Sequence, residues 1–162
     1  MTQEEGFFIF LAGFFLIFIL FVSVVALIFH ILMAIGLFKI AKREGKADLA
    51  WMAWIPIVNL FLITQLVEND VHESMRGKFT LIYGITMAGA FVLSWFIPFI
   101  GIIPNILLIY GFYFIVQRYS SNEALHMVFV IISCTITMPI QFFIFRNREP
   151  RNIEDDIVFK NE

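Results

Sequence analysis

Cysteine occurs once, at Cys134, so no intramolecular disulfide and no disulfide framework can form. Its place inside an apolar run leads us to expect a buried, inert thiol. Charge is scarce: 15% of residues are Asp, Glu, Lys or Arg, against about 25% in soluble domains. The net charge of −2 is too small to suggest a nucleic-acid partner. No basic leader precedes the first apolar run, which is far longer than the roughly 7–15 residues of a secretory signal, so it reads as a retained membrane helix. HExxH, GxSxG and any paired-acid spacing are also missing, and with them the usual marks of a hydrolase. No enzyme activity, metal or cofactor is expected.

Apolar residues fill the rest. Hydrophobic types make up 60% of the chain and aromatics 17%, 21 of them Phe. A soluble core of this size cannot hide so much apolar surface, so lipid must be the solvent for much of it. Charges cluster at 39–48, 68–78 and 146–162, and between them run apolar stretches at about 7–38, 49–67, 79–99, 103–117 and 125–145. These predict an all-α polytopic integral membrane helical bundle over 1–145, followed by a charged cytoplasmic tail over 146–162. The first stretch would be about 48 Å long as a helix, against about 30 Å of hydrocarbon, so it must tilt, protrude or pack on other helices.

Glu4 and Glu5 precede this helix, and Lys39, Lys42, Arg43 and Lys46 follow it. The positive-inside rule therefore puts the N-terminus outside and the 39–46 loop in the cytoplasm. The stretch 49–67 decides the rest. It is near the minimum length for spanning, and Pro56 interrupts it. As a kinked span it gives five transmembrane helices and a cytoplasmic C-terminus. Lys and Arg are then eight inside (39, 42, 43, 46, 146, 148, 151, 160) and three outside (76, 78, 118). As a re-entrant segment it leaves four spans and a seven-to-four division, so the bias prefers five. Within 79–99, Gly84 and Ala88, and Thr86 and Ala90, repeat the small-xxx-small spacing that lets helices approach closely. Pro56, Pro98 and Pro139 each follow an apolar residue at intervals of 42 and 41, and Arg43 and Arg118 close helices with similar ends, FKIAKR and YFIVQR. Composition explains this echo as well as duplication does.

Polar groups inside lipid are costly and are the natural site candidates. His30 reads as a neutral imidazole hydrogen-bonded to another helix. Asn59 is placed to compensate a backbone group freed around Pro56. Ser133, Thr137 and Gln141, spaced by four, would share one helix face and act as interhelical glue or line a polar path. Asp48, Glu68, Asp70, His72 and Glu73 read as solvated loop residues. Trp51 and Trp54 suit the inner headgroup region, and Lys42, Arg43, Arg146, Arg148 and Arg151 suit anionic headgroups.

The segment GKADLAWMAWIPIVNLFLI resembles one that recurs in small multipass bacterial membrane proteins of unknown function, as an A-W-x-x-W-I-P-x-x-N stretch after a basic loop; here it runs from Ala50 to Asn59. SWFIPFIGIIP is similar to their later I-P element. The resemblance covers about 36–118 and implies a bacterial cytoplasmic membrane, but no activity. The expected role is a non-enzymatic accessory or scaffold subunit of a bacterial membrane assembly, with the lipid bilayer and other membrane subunits or further copies of itself as partners. Two alternatives stand beside it: a small transporter or channel using the polar face of the last helix, and an immunity or resistance protein against a membrane-active peptide.

Overall fold

A computed structural model describes residues 3–151, so only the first part of the expected tail, 146–151, is within the described residues. These residues are all helical or irregular, with no strand among them. The helices are α1 (Gln3–Arg43), α2 (Val58–Leu66), α3 (Phe79–Leu93), α4 (Ile102–Tyr119), α5 (Glu123–Ile132) and α6 (Met138–Phe145), with a 3-10 turn at Ala50–Trp54 before α2. Two of them, α1 and α4, are long and apolar enough to cross a membrane.

Without a proline to interrupt it, α1 runs for 41 residues, about 62 Å at helical rise. Glu4 and Glu5 in its first turn and Lys42 and Arg43 in its last suit the helix dipole. It stops at Gly45, whose φ of 75° lets the Lys46 N–H turn back to the Ala41 carbonyl at 2.9 Å.

The helices expected over 49–67 and 125–145 are not continuous. In the first, the chain reverses at Ile57, whose φ of 70° follows directly on Pro56. In the second, it reverses at Cys134 and Thr135, with φ of 48° and 72°. The α3–α4 turn has the same device, with Phe99 at 75° just after Pro98. A non-glycine residue held there costs about 1–3 kcal/mol, so the surroundings must impose it. The returning chain closes each break: Asn59 N–H reaches the Ile55 carbonyl at 3.0 Å, and Thr135 N–H reaches that of Val130 at 2.9 Å. Because its reversal lies at the surface, Cys134 is exposed rather than buried as expected.

Each broken segment brings its two ends back together. Lys46 Nζ donates to the Gln65 carbonyl across 47–64, and Gln141 Nε2 donates to the His126 carbonyl at 3.2 Å, while the His126 ring meets Phe145 edge-on with centroids 5.1 Å apart. Both 49–67 and 125–145 are thus split into two short helical pieces joined by a reversal, and a five-span bundle is not confirmed. One helix per apolar stretch, the basis of the five-span count, is therefore not how these stretches fold.

The core gathers toward the end where α1 and α4 finish. Leu37, Ile40, Leu62, Ile63, Phe79, Phe112, Ile115, Phe142 and Phe145 are completely buried there. At its tightest point, a Cβ on Gly36 would lie 2.4 Å from the Phe142 backbone, so α1 and α6 touch only because that atom is absent. Gly84 serves a ring instead of a second helix: its missing Cβ makes room for Phe61, which meets Tyr83 edge-on with centroids 5.5 Å apart. Beyond the core the apolar surface is bare. The first two thirds of α1 is exposed on nearly every side, and Trp95 and Phe99 in the α3–α4 turn are 85% and 81% exposed.

Two glycines should respond oppositely to the same change. Gly36→Ala should lower stability in detergent by about 1–3 kcal/mol, because the obstructing atoms are backbone. Gly89→Ala, in open space on α3, should be neutral or stabilising by up to about 1 kcal/mol. Equal melting temperatures for Gly36→Ala and the wild type would contradict this packing.

Candidate functional site

Arg118 ends α4 and has carboxylates from two distant segments on its guanidinium. One nitrogen pairs with Glu44 at 2.5 Å, and the other pairs with Asp70 and also donates to the Leu66 carbonyl at 3.3 Å. Tyr119 donates its hydroxyl to the other Glu44 oxygen at 3.0 Å. The side chains of Arg118 and Glu44 are only 20% and 10% exposed, so this is a desolvated cluster rather than a surface pair. Burial also pushes the Lys46 amine below its usual pKa, against the opposing pull of Glu44 and Glu68. Glu44 and Asp70, which the five-span order would separate by the bilayer, are joined here through one guanidinium.

The basic residues assigned to lipid fall into two groups. Arg43 donates to the Arg146 carbonyl at 3.0 Å and to that of Arg148, Arg148 donates to the Tyr119 carbonyl at 3.1 Å, and Arg151 donates to that of Ser120 at 3.0 Å. These bind the chain after α6 to α1 and α4. Lys42 and Arg146 instead sit over the Phe38 and Phe143 rings, at 4.4 and 3.3 Å.

About 20 Å along α1 from Arg43, at helical rise, lies the second polar place. His30 donates from Nε2 to the Trp54 carbonyl at 3.1 Å, which requires the Nε2–H tautomer. His30 thus takes the carbonyl-compensating part expected of Asn59. Asn59 is itself buried and donates to the Met33 sulfur at 3.8 Å, a weak bond. Both line a cleft of about 370 Å³ under the tips of the two broken segments, with Pro56, Ile57, Ile136 and Pro139 around it. Trp51 and Trp54 are exposed on the 3-10 turn, and the Trp54 ring meets Phe38 edge-on, with centroids 6.4 Å apart.

Ser133, Thr137 and Gln141 come together, though not on one helix face, because the chain reverses between the first two. Ser133 and Thr137 hydroxyls are 2.8 Å apart, Ser133 Oγ accepts the Thr137 N–H at 3.2 Å, and Gln141 Nε2 donates to Thr137 Oγ1 at 3.4 Å. Their hydrogen bonds go to one another and to the broken backbone, which is a structural task. The Gln141 amide oxygen is buried without a partner.

Among the loop residues, Thr80 donates to Glu68 at 3.3 Å, and the His72 ring bonds the Ser74 hydroxyl at 3.0 Å. Among the described residues no three His, Cys, Asp or Glu side chains gather as a metal site would need. The cluster that sequence reasoning passed over is Glu44, Arg118 and Tyr119. Its one available signal was an arginine closing an apolar helix, which needs a partner when lipid is near.

No protein-family model matches the chain, and neither the curated proteins nor the solved structures contain a match.

Arg118→Met should be the most damaging single change at the charged end. It leaves Glu44 and Asp70 facing each other and should cost about 3 kcal/mol, while Arg118→Lys, which keeps the charge but loses the fork, should cost less. Thermal unfolding in detergent measures both, and a loss below about 0.5 kcal/mol for the Met variant would remove the cluster from any central part in the fold. Ser133→Ala should cost about 1 kcal/mol by stranding the Thr137 N–H.

Proposed function

We propose that the chain is a non-enzymatic accessory or scaffold subunit of a bacterial membrane assembly. It lies in the cytoplasmic membrane with the N-terminus outside and the charged end, including the C-terminal side of α6, in the cytoplasm. In this reading α1, α3 with its following turn, and α4 cross the bilayer, while 47–67 and 123–145 enter from the cytoplasmic face and return to it. Every Lys and Arg among the described residues then falls on one side, at the end of α1, before α3, at the end of α4 or after α6. That is a stronger bias than the five-span count produces. Re-entrant backbone is tolerated at this depth where protein covers it, and the contacts of both broken segments with α1 supply that cover.

The observation that carries the role is α1 itself. Its last third is clamped in the core, and the stretch from Phe7 to about Leu27 leaves the bundle uncharged, apolar on all faces and packed against nothing among the described residues. A helix apolar all round belongs in lipid or inside other protein, and this one is longer than the hydrocarbon requires. The polar groups at the last reversal bond to each other rather than lining an open path, so the transporter or channel reading has less support.

Single cysteines at 5, 73 and 122, in a Cys134→Ser background, test the topology with an impermeant maleimide on intact cells. Position 5 should label, and 73 and 122 should label only after permeabilisation; labelling of intact cells at 73 refutes the re-entrant 47–67. A photo-crosslinking residue at position 14 tests the role: protein adducts are expected, and adducts with lipid alone would reduce α1 to an anchor.

A further inference from the structure

The geometry points to a binding site for the phosphate-bearing headgroup of an anionic lipid, built jointly by the last turns of α1 and α6. Arg43 makes the site by donating to the Arg146 and Arg148 carbonyls, which locks the two helix ends side by side. Lys39, Lys42 and Arg43 on α1 thereby come beside Arg146 and Arg148, which follow α6. Lys39 and Arg43 are one turn apart on the same helix face.

The local charge is one-sided. Glu44 points into the fold, held by Arg118 and Tyr119, which leaves Asp48 and Glu149, both exposed, as the carboxylates next in the chain to these cations among the described residues, two against five. On the α3 side of the same end the basic residues Arg76 and Lys78 share a loop with Glu68, Asp70 and Glu73, so the surplus is confined to the α1–α6 corner.

The aromatic floor distinguishes a lipid from a soluble anion. Lys42 lies over Phe38 at 4.4 Å and Arg146 over Phe143 at 3.3 Å. Cations resting on rings at the end of apolar helices carry their stems along hydrocarbon and their heads at the phosphate level. Arginine's fork suits phosphate oxygens, and lysine adds point charge. A headgroup held here keeps its acyl chains against the apolar sides of α1 and α6, a continuity that free phosphate lacks.

This inference rests on the proposal that the charged end lies at the bilayer surface, which the maleimide labelling reads independently; correct labelling with no lipid preference would sink only the lipid site. The full chain, purified in a neutral detergent, would be titrated with phosphatidylglycerol and with phosphatidylcholine and followed by native mass spectrometry. Phosphatidylglycerol should bind more tightly. Lys39→Gln with Arg146→Gln should weaken it roughly thirtyfold, about fivefold per charge, and leave phosphatidylcholine unchanged. Arg76→Gln with Lys78→Gln should stay within about twofold of the wild type. Arg43 is left intact because it holds α6, and if the first double variant loses its folded transition, Lys39→Gln alone should still show about a fivefold loss. Absence of any preference in the wild type, equal losses in the two double variants, or displacement of the lipid by millimolar inorganic phosphate would each overturn the site.

Discussion

A guanidinium removed from water at the end of an apolar helix must find carboxylates, and Arg118 finds them in Glu44 and Asp70. Those residues lie 74 and 48 positions earlier in the chain. Satisfying one cation therefore forces the end of α1, the loop after α2 and the end of α4 to the same place. Arg43, Arg148 and Arg151 add the segment after α6 by bonding main-chain carbonyls. A buried ion pair of this kind contributes little net stability over well-packed apolar groups, but it is costly to half-remove. Its effect here is on connectivity. With four parts of the chain held at one end, the segments between them have to leave and come back.

The reversals at the far end follow from that requirement. Each return is made by residues poorly suited to it, Ile57, Phe99, Cys134 and Thr135, all with positive φ. Glycines occupy such conformations at Gly45 and Gly77, near the charged end. Pro56 and Pro98 each stand immediately before one of the strained residues, where a residue with no N–H and a fixed φ ends helix propagation. The nearby polar groups then become intelligible. His30 takes the Trp54 carbonyl, and Ser133 takes the Thr137 N–H, because the apolar side chains around them offer no substitute for a lost backbone partner. Gln141 is the exception, since its amide oxygen remains without a partner.

Much of the candidate site could be named from the sequence but not arranged. His30, Asn59, Ser133, Thr137 and Gln141 stand out because polar side chains are rare in these runs, and all of them do meet other parts of the protein. Their partners were not legible. The spacing of Ser133, Thr137 and Gln141 suggests one helical face, yet the three hydroxyl and amide groups meet across a reversal. Asn59 was positioned by the Pro56 break, but the carbonyl went to His30, 24 residues before Trp54. Glu44 and Tyr119 carried no local mark at all, since their meaning depends on Arg118 arriving beside them.

The sequence by itself determined that the described residues are helical and that charge is excluded from long apolar runs. It also set the existence of a long first helix, expected over about 7–38 and observed over Gln3–Arg43, and which short segments carry the basic residues. These are properties of local composition: hydropathy, proline placement and capping act over a few turns. Only the tertiary structure decided that 49–67 and 125–145 turn back, that Glu44 and Asp70 share one arginine, and that α1 and α6 close against each other at Gly36. An apolar stretch of spanning length has nearly the same transfer free energy whether it crosses or returns. The choice depends on whether neighbouring segments can pair the backbone groups freed at the break, and that is settled by contacts between residues far apart in the chain.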